Sequence, residues 1–298
     1  MSLRGGKVLA EGGQGCIIDP TWSTRVSKNH RGRYITKIMS KSSSENEYAI
    51  SNFLRRKDPE GHYGIYNEGP RECNGVTLEK LAKEGVHVTH GGTYEHAKCS
   101  EIAHNILRGT SKEYCTITIP KFKQDLEDPV NLAYNGLKMG ILNLWTAMAF
   151  LHDNNVVHSD IKMNNLAFSD KTFKFFDWGW ASKVTTAKNT DEQYDRMTSA
   201  RSYVWPNGPW APNLESSRPV SWREKRLAMK FNDVFGLARC TLKIMSRNGF
   251  EHTKLKQLME ELEAEGKTDT RHYRPASMIA HAVNELFMMY TGRKIKSA

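Results

Sequence analysis

Four side chains in the middle of the chain, Asp160, Lys162, Asn165 and Asp177, have types and spacing suited to chemistry on phosphate. Asp160 and Asn165 stand five residues apart in VVHSDIKMNNLAF (156–168), and Asp177 follows twelve residues later in FKFFDWGWA (173–181). Mg²⁺ takes oxygen ligands and keeps few protein carboxylates, so Asn165 and Asp177 converging on phosphate oxygens would suit it. A second aspartate free of metal, Asp160, can orient an attacking hydroxyl and accept its proton. Lys162 can balance charge on a transferring phosphoryl group.

Such residues need a scaffold. The apolar runs between Asn165 and Asp177 read as a hairpin that delivers the second aspartate. Upstream, Lys7 to Ala10, Cys16 to Asp19 and Tyr34 to Met39 are short β-like runs, the first two punctuated by Gly12, Gly13 and Gly15. Residues 43–56 carry a helical pattern through Ile50, Phe53 and Leu54, with Ser42 to Ser44 able to cap it. A further β-like run, Tyr114 to Ile119, stops at Pro120. Leu137, Ile141, Leu144, Met148 and Leu151 then mark one face of an amphipathic helix, and helical patterns recur near 231–246, 252–265 and 275–290. A β-rich first third before a helix-rich remainder implies an α+β protein with two lobes, joined near residues 119–125. No internal repeat is present.

Composition narrows the classes. The 298 residues suffice for one large domain or two smaller ones, and 39% hydrophobic with 26% charged residues is ordinary for a soluble globular protein. Five scattered cysteines with no CxxC pair argue for a reducing, intracellular setting rather than a disulfide framework. The most apolar stretch, Met139 to Leu151, is too short to span a bilayer, so no membrane association is expected. A net charge of +10 favours acidic partners, but no basic run is interleaved with aromatics, so nucleic acid is not indicated. Residues 57–113 are the least readable. Cys73, His87, His90, His96, Cys99 and His104 lie there at spacings that fit no familiar zinc finger, so solvated histidines on a long insertion are expected.

The string His158-Ser159-Asp160 with Asn165, followed by Asp177-Trp178-Gly179, resembles the protein-kinase signature H-R-D-L-x-x-x-N and D-F-G. Ala10-x-Gly12-x-x-Gly15-x-Ile17 resembles that family's glycine-rich loop with alanine in the first place, and Gly13 lies within it. Tyr34-Ile35-Thr36-Lys37 resembles its V-A-I-K strand, whose lysine contacts the nucleotide's α- and β-phosphates. The partner glutamate is Glu47, with Glu45 the alternative. Asp233-Val234-Phe235-Gly236 resembles the helix start whose aspartate holds the catalytic-loop backbone, Arg274-Pro275 a segment near the domain's end, and Phe150-Leu151-His152 the usual Y-L-H.

The resemblance implies a two-lobed α+β kinase fold over 1–298, with a small β-rich lobe of about 1–120 that carries the 57–113 insertion and a helical lobe of about 121–298. It implies ATP and Mg²⁺ as cofactors and protein hydroxyls as acceptors. Asp160 and Lys162 would be catalytic. Ala10, Gly12, Gly13, Gly15, Ile17, Lys37 and Glu47 would form the nucleotide site, and Asn165 and Asp177 the metal site. Lysine at 162 is the serine/threonine-type residue.

Two departures from the pattern matter. Ser159 replaces the arginine that pairs with a phosphorylated activation-loop residue, which predicts activity without that modification. The family ends the activation segment with A-P-E, whose glutamate pairs with the arginine that Arg274 resembles; here it aligns either with Tyr203-Val204-Trp205-Pro206-Asn207, which has asparagine in the glutamate's place, or with Ala211-Pro212 and Glu215. The Y-I-T-K-I-M strand, Asp58-Pro59, the compact ends, the insertion and Tyr203-x-Trp205-Pro206 resemble kinases of large nucleocytoplasmic DNA viruses. That likeness implies viral or host protein substrates and a place in host cytoplasm or virion. The rival readings are a small-molecule phosphotransferase of similar fold, and a pseudokinase scaffold suggested by Ala10 and Ser159.

Overall fold

A computed structural model describes residues 7–12, 15–19, 21, 28–83, 86, 97–110, 113–204, 221–268 and 274–289. The protein is α+β and divides into two compact units, one of residues 1–59 and 65–121, the other of 60–64 and 122–298.

The first unit is built on an antiparallel sheet of five strands: β1 (Lys7–Gly12), β2 (Gly15–Asp19), β3 (Tyr34–Ser40), β4 (Glu68–Glu72) and β5 (Tyr114–Pro120). Their order is β1-β2-β3-β5-β4. The register sets Ile17 opposite Lys37 and Lys37 opposite Ile117, so these three share one face, while Cys16 and Ile38 share the other. Helix α1 (Lys41–Lys57) covers the Lys37 face, since Lys37 reaches Glu47 on it. Its cap is Ser40, whose hydroxyl accepts from the Ser43 amide, rather than one of the serines at 42–44. The basic residues Arg55, Arg56 and Lys57 fall in its last turn, where they complement the helix dipole.

The stretch read from sequence as an insertion has two parts. Glu68–Glu72 is a strand of the sheet, paired with Thr118 and Thr116 of β5. It escaped notice because Gly69 and Pro70 interrupt any alternation, and proline is tolerated there because the strand lies at the edge. Helices α2 (Leu78–Lys83) and α3 (Ala97–Leu107) follow. Leu81, Val86, Cys99, Ile102 and Ala103 pack on Cys16, Ile18, Ile38 and Tyr114, and so bury the second face of the sheet.

Disulfides Cys16–Cys99 and Cys73–Cys115 fix this packing. The expectation that the cysteines form no disulfides is therefore wrong, and the argument from them to a reducing setting lapses. The partners lie 83 and 42 residues apart, and only the folded sheet brings them together. Cys240 is the one free cysteine; burial pushes its thiol up to about 12. With Cys73 and Cys99 bonded elsewhere, neither can be the zinc ligand considered above, and His87, His90 and His96 lie outside the described residues.

The second unit holds two small sheets, β6 (Gln124–Asp125) with β8 (Leu166–Ser169) and β9 (Thr172–Phe175), and β7 (Val156–Val157) with β10 (Ser182–Lys183). Its helices are α4 (Tyr134–Asp153), α5 (Ala187–Val204), α6 (Trp222–Arg247), α7 (Thr253–Thr268) and α8 (Ala276–Met289). The face predicted from Leu137 to Leu151 is the buried face of α4. Gly140 on that helix lets it approach β9, because a Cβ there would lie 2.5 Å from the Phe173 ring. Helix α6 starts nine residues before the sequence pattern, at a capping box in which Ser221 and Glu224 satisfy each other's backbone amides. Residues 60–64 belong here: Tyr63 O accepts from Phe175 N at 3.1 Å and His62 O from Asn143 Nδ2 at 2.9 Å. Among the described residues, no helix is long and apolar enough to cross a membrane.

Candidate active site

In the second unit, β8 and β9 form the expected hairpin, turned by Asp170 and Lys171 with both φ angles positive. It joins the loop after β7 to Asp177. The loop itself is set from α6. Asp233, fully buried, accepts from the His158 amide through Oδ2 and from the Ser159 amide through Oδ1, each at 2.8 Å. Ser159 takes a left-handed φ of 66°, an arrangement that costs about 1–2 kcal/mol for a residue other than glycine and that these bonds hold. Gly236, one turn along α6, has no room for a side chain; a Cβ would sit 2.9 Å from Ile161 Cβ.

The loop gathers Asp160, Lys162 and Asn165. Asp160 Oδ2 accepts from Lys162 Nζ at 2.9 Å and from Asn165 Nδ2 at 2.8 Å. Asn165 Nδ2 also donates to Asp160 O at 2.8 Å, and a carbonyl can only accept, so the amide orientation is fixed. With both amide hydrogens used, Asn165 Oδ1 is the atom left for a cation. The Asn165 carbonyl accepts from Phe176 N at 3.1 Å, which ties the residue before Asp177 to the loop. His158 adds a second tie, its Nε2 donating to Phe176 O at 3.1 Å. Asp177 adopts a left-handed conformation, φ 61° and ψ 74°, at the start of a 3-10 turn through Trp178–Trp180. Asn165 and Asp177 offer hard oxygen donors of the kind Mg²⁺ accepts, and among the described residues no cluster of three or more His, Cys, Asp or Glu could hold a metal.

In the first unit, Lys37 Nζ lies 2.8 Å from Glu47 Oε2, and both side chains are almost completely buried. Glu45, the alternative, is exposed and 3.9 Å from Arg71. Gly15 is demanded by packing, since a Cβ would stand 2.6 Å from the Ile38 carbonyl oxygen on the neighbouring strand. Ala10 and Gly12 lie in β1, while Gly13 falls outside the described residues.

The family model for the protein kinase domain matches residues 112–208, which include the loop, the hairpin and Asp177. The β-rich first unit and the helical second unit are consistent with an α+β kinase-like fold. The match supports the eukaryotic-type protein-kinase superfamily and, in general terms, a phosphotransferase. No curated protein matches the chain.

Elsewhere the structure departs from expectation. Arg274 pairs with Glu265, and with Glu261 at 3.7 Å, both on α7. Both alignments of the activation segment's end run into residues 205–220, outside the described residues. Before it, α5 is a helix that the sequence reading missed. Gln193 on α5 donates through Nε2 to Ser159 Oγ at 3.0 Å and to Trp180 O at 2.8 Å. Arg196 donates to Gly179 O at 3.1 Å and stacks over the Trp180 ring at 4.2 Å. The one clue in the sequence was Ser159 itself, a small polar residue where the family places arginine, which called for a different partner.

Proposed function

We propose that this protein is a serine/threonine protein kinase that transfers the γ-phosphoryl group of ATP to a protein hydroxyl. The observation that carries the reading is the Asp160–Lys162–Asn165 cluster, with Asp177 tied to it through Phe176. Asp160 Oδ2 is occupied by two donors, so Oδ1 is the oxygen that takes the acceptor's proton. Lys162, anchored on Asp160, balances charge on the transferring group, and Lys37, aligned by buried Glu47, positions the α- and β-phosphates. Bound Mg²⁺ would neutralise charge on the phosphates, held by Asn165 Oδ1 and the Asp177 carboxylate. Lys162 favours serine or threonine as acceptor. The likeness to kinases of large DNA viruses, carried by the residues given above, favours viral or host proteins as substrates, and the net charge of +10 favours acidic surfaces on them.

Ser159 cannot pair with a phosphate as arginine would, which supports activity without activation-loop phosphorylation. Thr190 is fully buried and its hydroxyl donates to Thr186 O, so it is already committed to holding the helix. Thr185 and Thr186 are exposed. Replacing Thr185, Thr186, Thr198 and Ser199 together by alanine should leave turnover of the folded variant within about twofold, although it removes the Thr186 cap on the Asn189 amide and the Thr198 bond to Tyr194 O. A folded variant without activity would overturn this part of the reading.

The acceptor class is tested with labelled ATP and a panel of proteins set against amino-alcohols. Label on protein serine and threonine is expected. Label only on the small molecules would favour the rival phosphotransferase reading.

A further inference from the structure

Gln193 is only 4% exposed and Ser159 only 1%, so their hydrogen bond is out of water. The two Nε2 hydrogens of Gln193 are spent on two different segments: Ser159, adjacent to Asp160, and Trp180, three residues beyond Asp177. Trp180 offers a carbonyl, which can only accept, so the amide orientation is fixed. The helix that carries Gln193 is itself seated firmly. Tyr194 and Met197 pack with Val157, Val184, Ala228 and Met229, and Lys225 on α6 pairs with Asp191 at 2.8 Å.

We propose that Gln193 is a positioning residue: its buried, neutral amide holds the catalytic loop and the Asp177 segment in one arrangement. This rests on the kinase reading, and it supplies the device that replaces an arginine–phosphate pair. A charge added by modification has to be present for that pair to form. A carboxamide needs no such event, so the tie is made whenever α5 is folded.

Three variants test it. Gln193→Ala removes both bonds. Ser159→Gly removes one, at a φ that glycine adopts without strain. Gln193→Glu keeps the shape but puts a titrating group between Ser159 Oγ and the Trp180 carbonyl. In its neutral form the carboxyl donates to the carbonyl and accepts from the serine; ionised, it turns a lone pair on the carbonyl. The surrounding charges are Arg196 on the same helix, the Asp233 carboxylate behind Ser159, and the Asp160–Lys162 pair.

Gln193→Ala should lower kcat at least about tenfold, as a misplaced reacting group does, with KM for ATP within about twofold. The combination with Ser159→Gly should cost little more, because the two act through one contact. Activity of Gln193→Glu relative to wild type should fall as pH rises through the range in which the buried carboxyl ionises. A ratio flat with pH, or wild-type kcat in a folded Gln193→Ala, would overturn the proposal. If Gln193→Ala does not fold, Ser159→Gly and the pH profile of Gln193→Glu decide.

Amide exchange over residues 156–160 and 178–184 reads the tie without phosphoryl transfer, and both segments should exchange faster together in Gln193→Ala. A wild type that transfers no phosphate, yet shows that coupled exchange, would sink the kinase reading and leave the tie standing. Transfer by the wild type with neither kcat nor exchange altered in Gln193→Ala would sink the tie alone.

Discussion

At the scale of residues, the loop around Asp160 is shaped by groups that lie outside it. Asp233 supplies both acceptors for the His158 and Ser159 amides, and Gly236 lets α6 come close enough for it to do so. Gly236→Ala should therefore destabilise by about 1–3 kcal/mol through overpacking against Ile161, and turnover should fall in the fraction that remains folded. Urea unfolding and turnover measured on one preparation check both effects; a variant unchanged in either would contradict this account of the loop. The types and spacing of Asp160, Lys162, Asn165 and Asp177 were legible in the sequence, and the structure joins the first three by hydrogen bonds. Gly236 appeared there only as part of a resemblance, and Gln193 not at all, since its partners lie 13 and 34 residues away and nothing local announces a contact of that kind.

At the scale of elements, strands and helices with clear periodicity were readable, and those without it were not. The α4 face from Leu137 to Leu151 follows helical spacing and is buried as expected. Strand β4 carries Gly69 and Pro70 and is held in place by its neighbour β5, so its own sequence does not signal it. The two insertion helices were hidden for a different reason. They are short, and their role depends on the sheet face that Cys16, Ile18 and Ile38 present to them. The Cys16–Cys99 disulfide closes a long loop between that face and α3, so removing it restores entropy to the unfolded chain. Cys99→Ser should cost about 2–5 kcal/mol of stability. Denaturant unfolding of the wild type and the variant measures it, and coincident curves would show that the bond contributes nothing.

At the scale of the whole molecule, buried histidines make stability depend on pH. His152, behind the catalytic loop, is held below the usual imidazole value by burial, against the opposing pull of Asp233. His252 is lowered likewise, again chiefly by burial. Unfolded, both would titrate near about 6.5, so the unfolded chain binds more protons as pH falls below that point. Stability should be full above about pH 6.5 and decline progressively below it. Urea midpoints at descending pH test this, with a shallower decline expected for His152→Gln; an unchanged midpoint down to about pH 5 would contradict it.

The central claim is that the Asp160 cluster transfers phosphate to protein. The most direct measurement is incorporation of label from γ-labelled ATP into protein serine and threonine by the wild type and by Asp160→Asn. The account predicts incorporation by the wild type and a loss of at least about a hundredfold in the variant, the scale on which a positioned base acts. Incorporation that survives Asp160→Asn undiminished would contradict it.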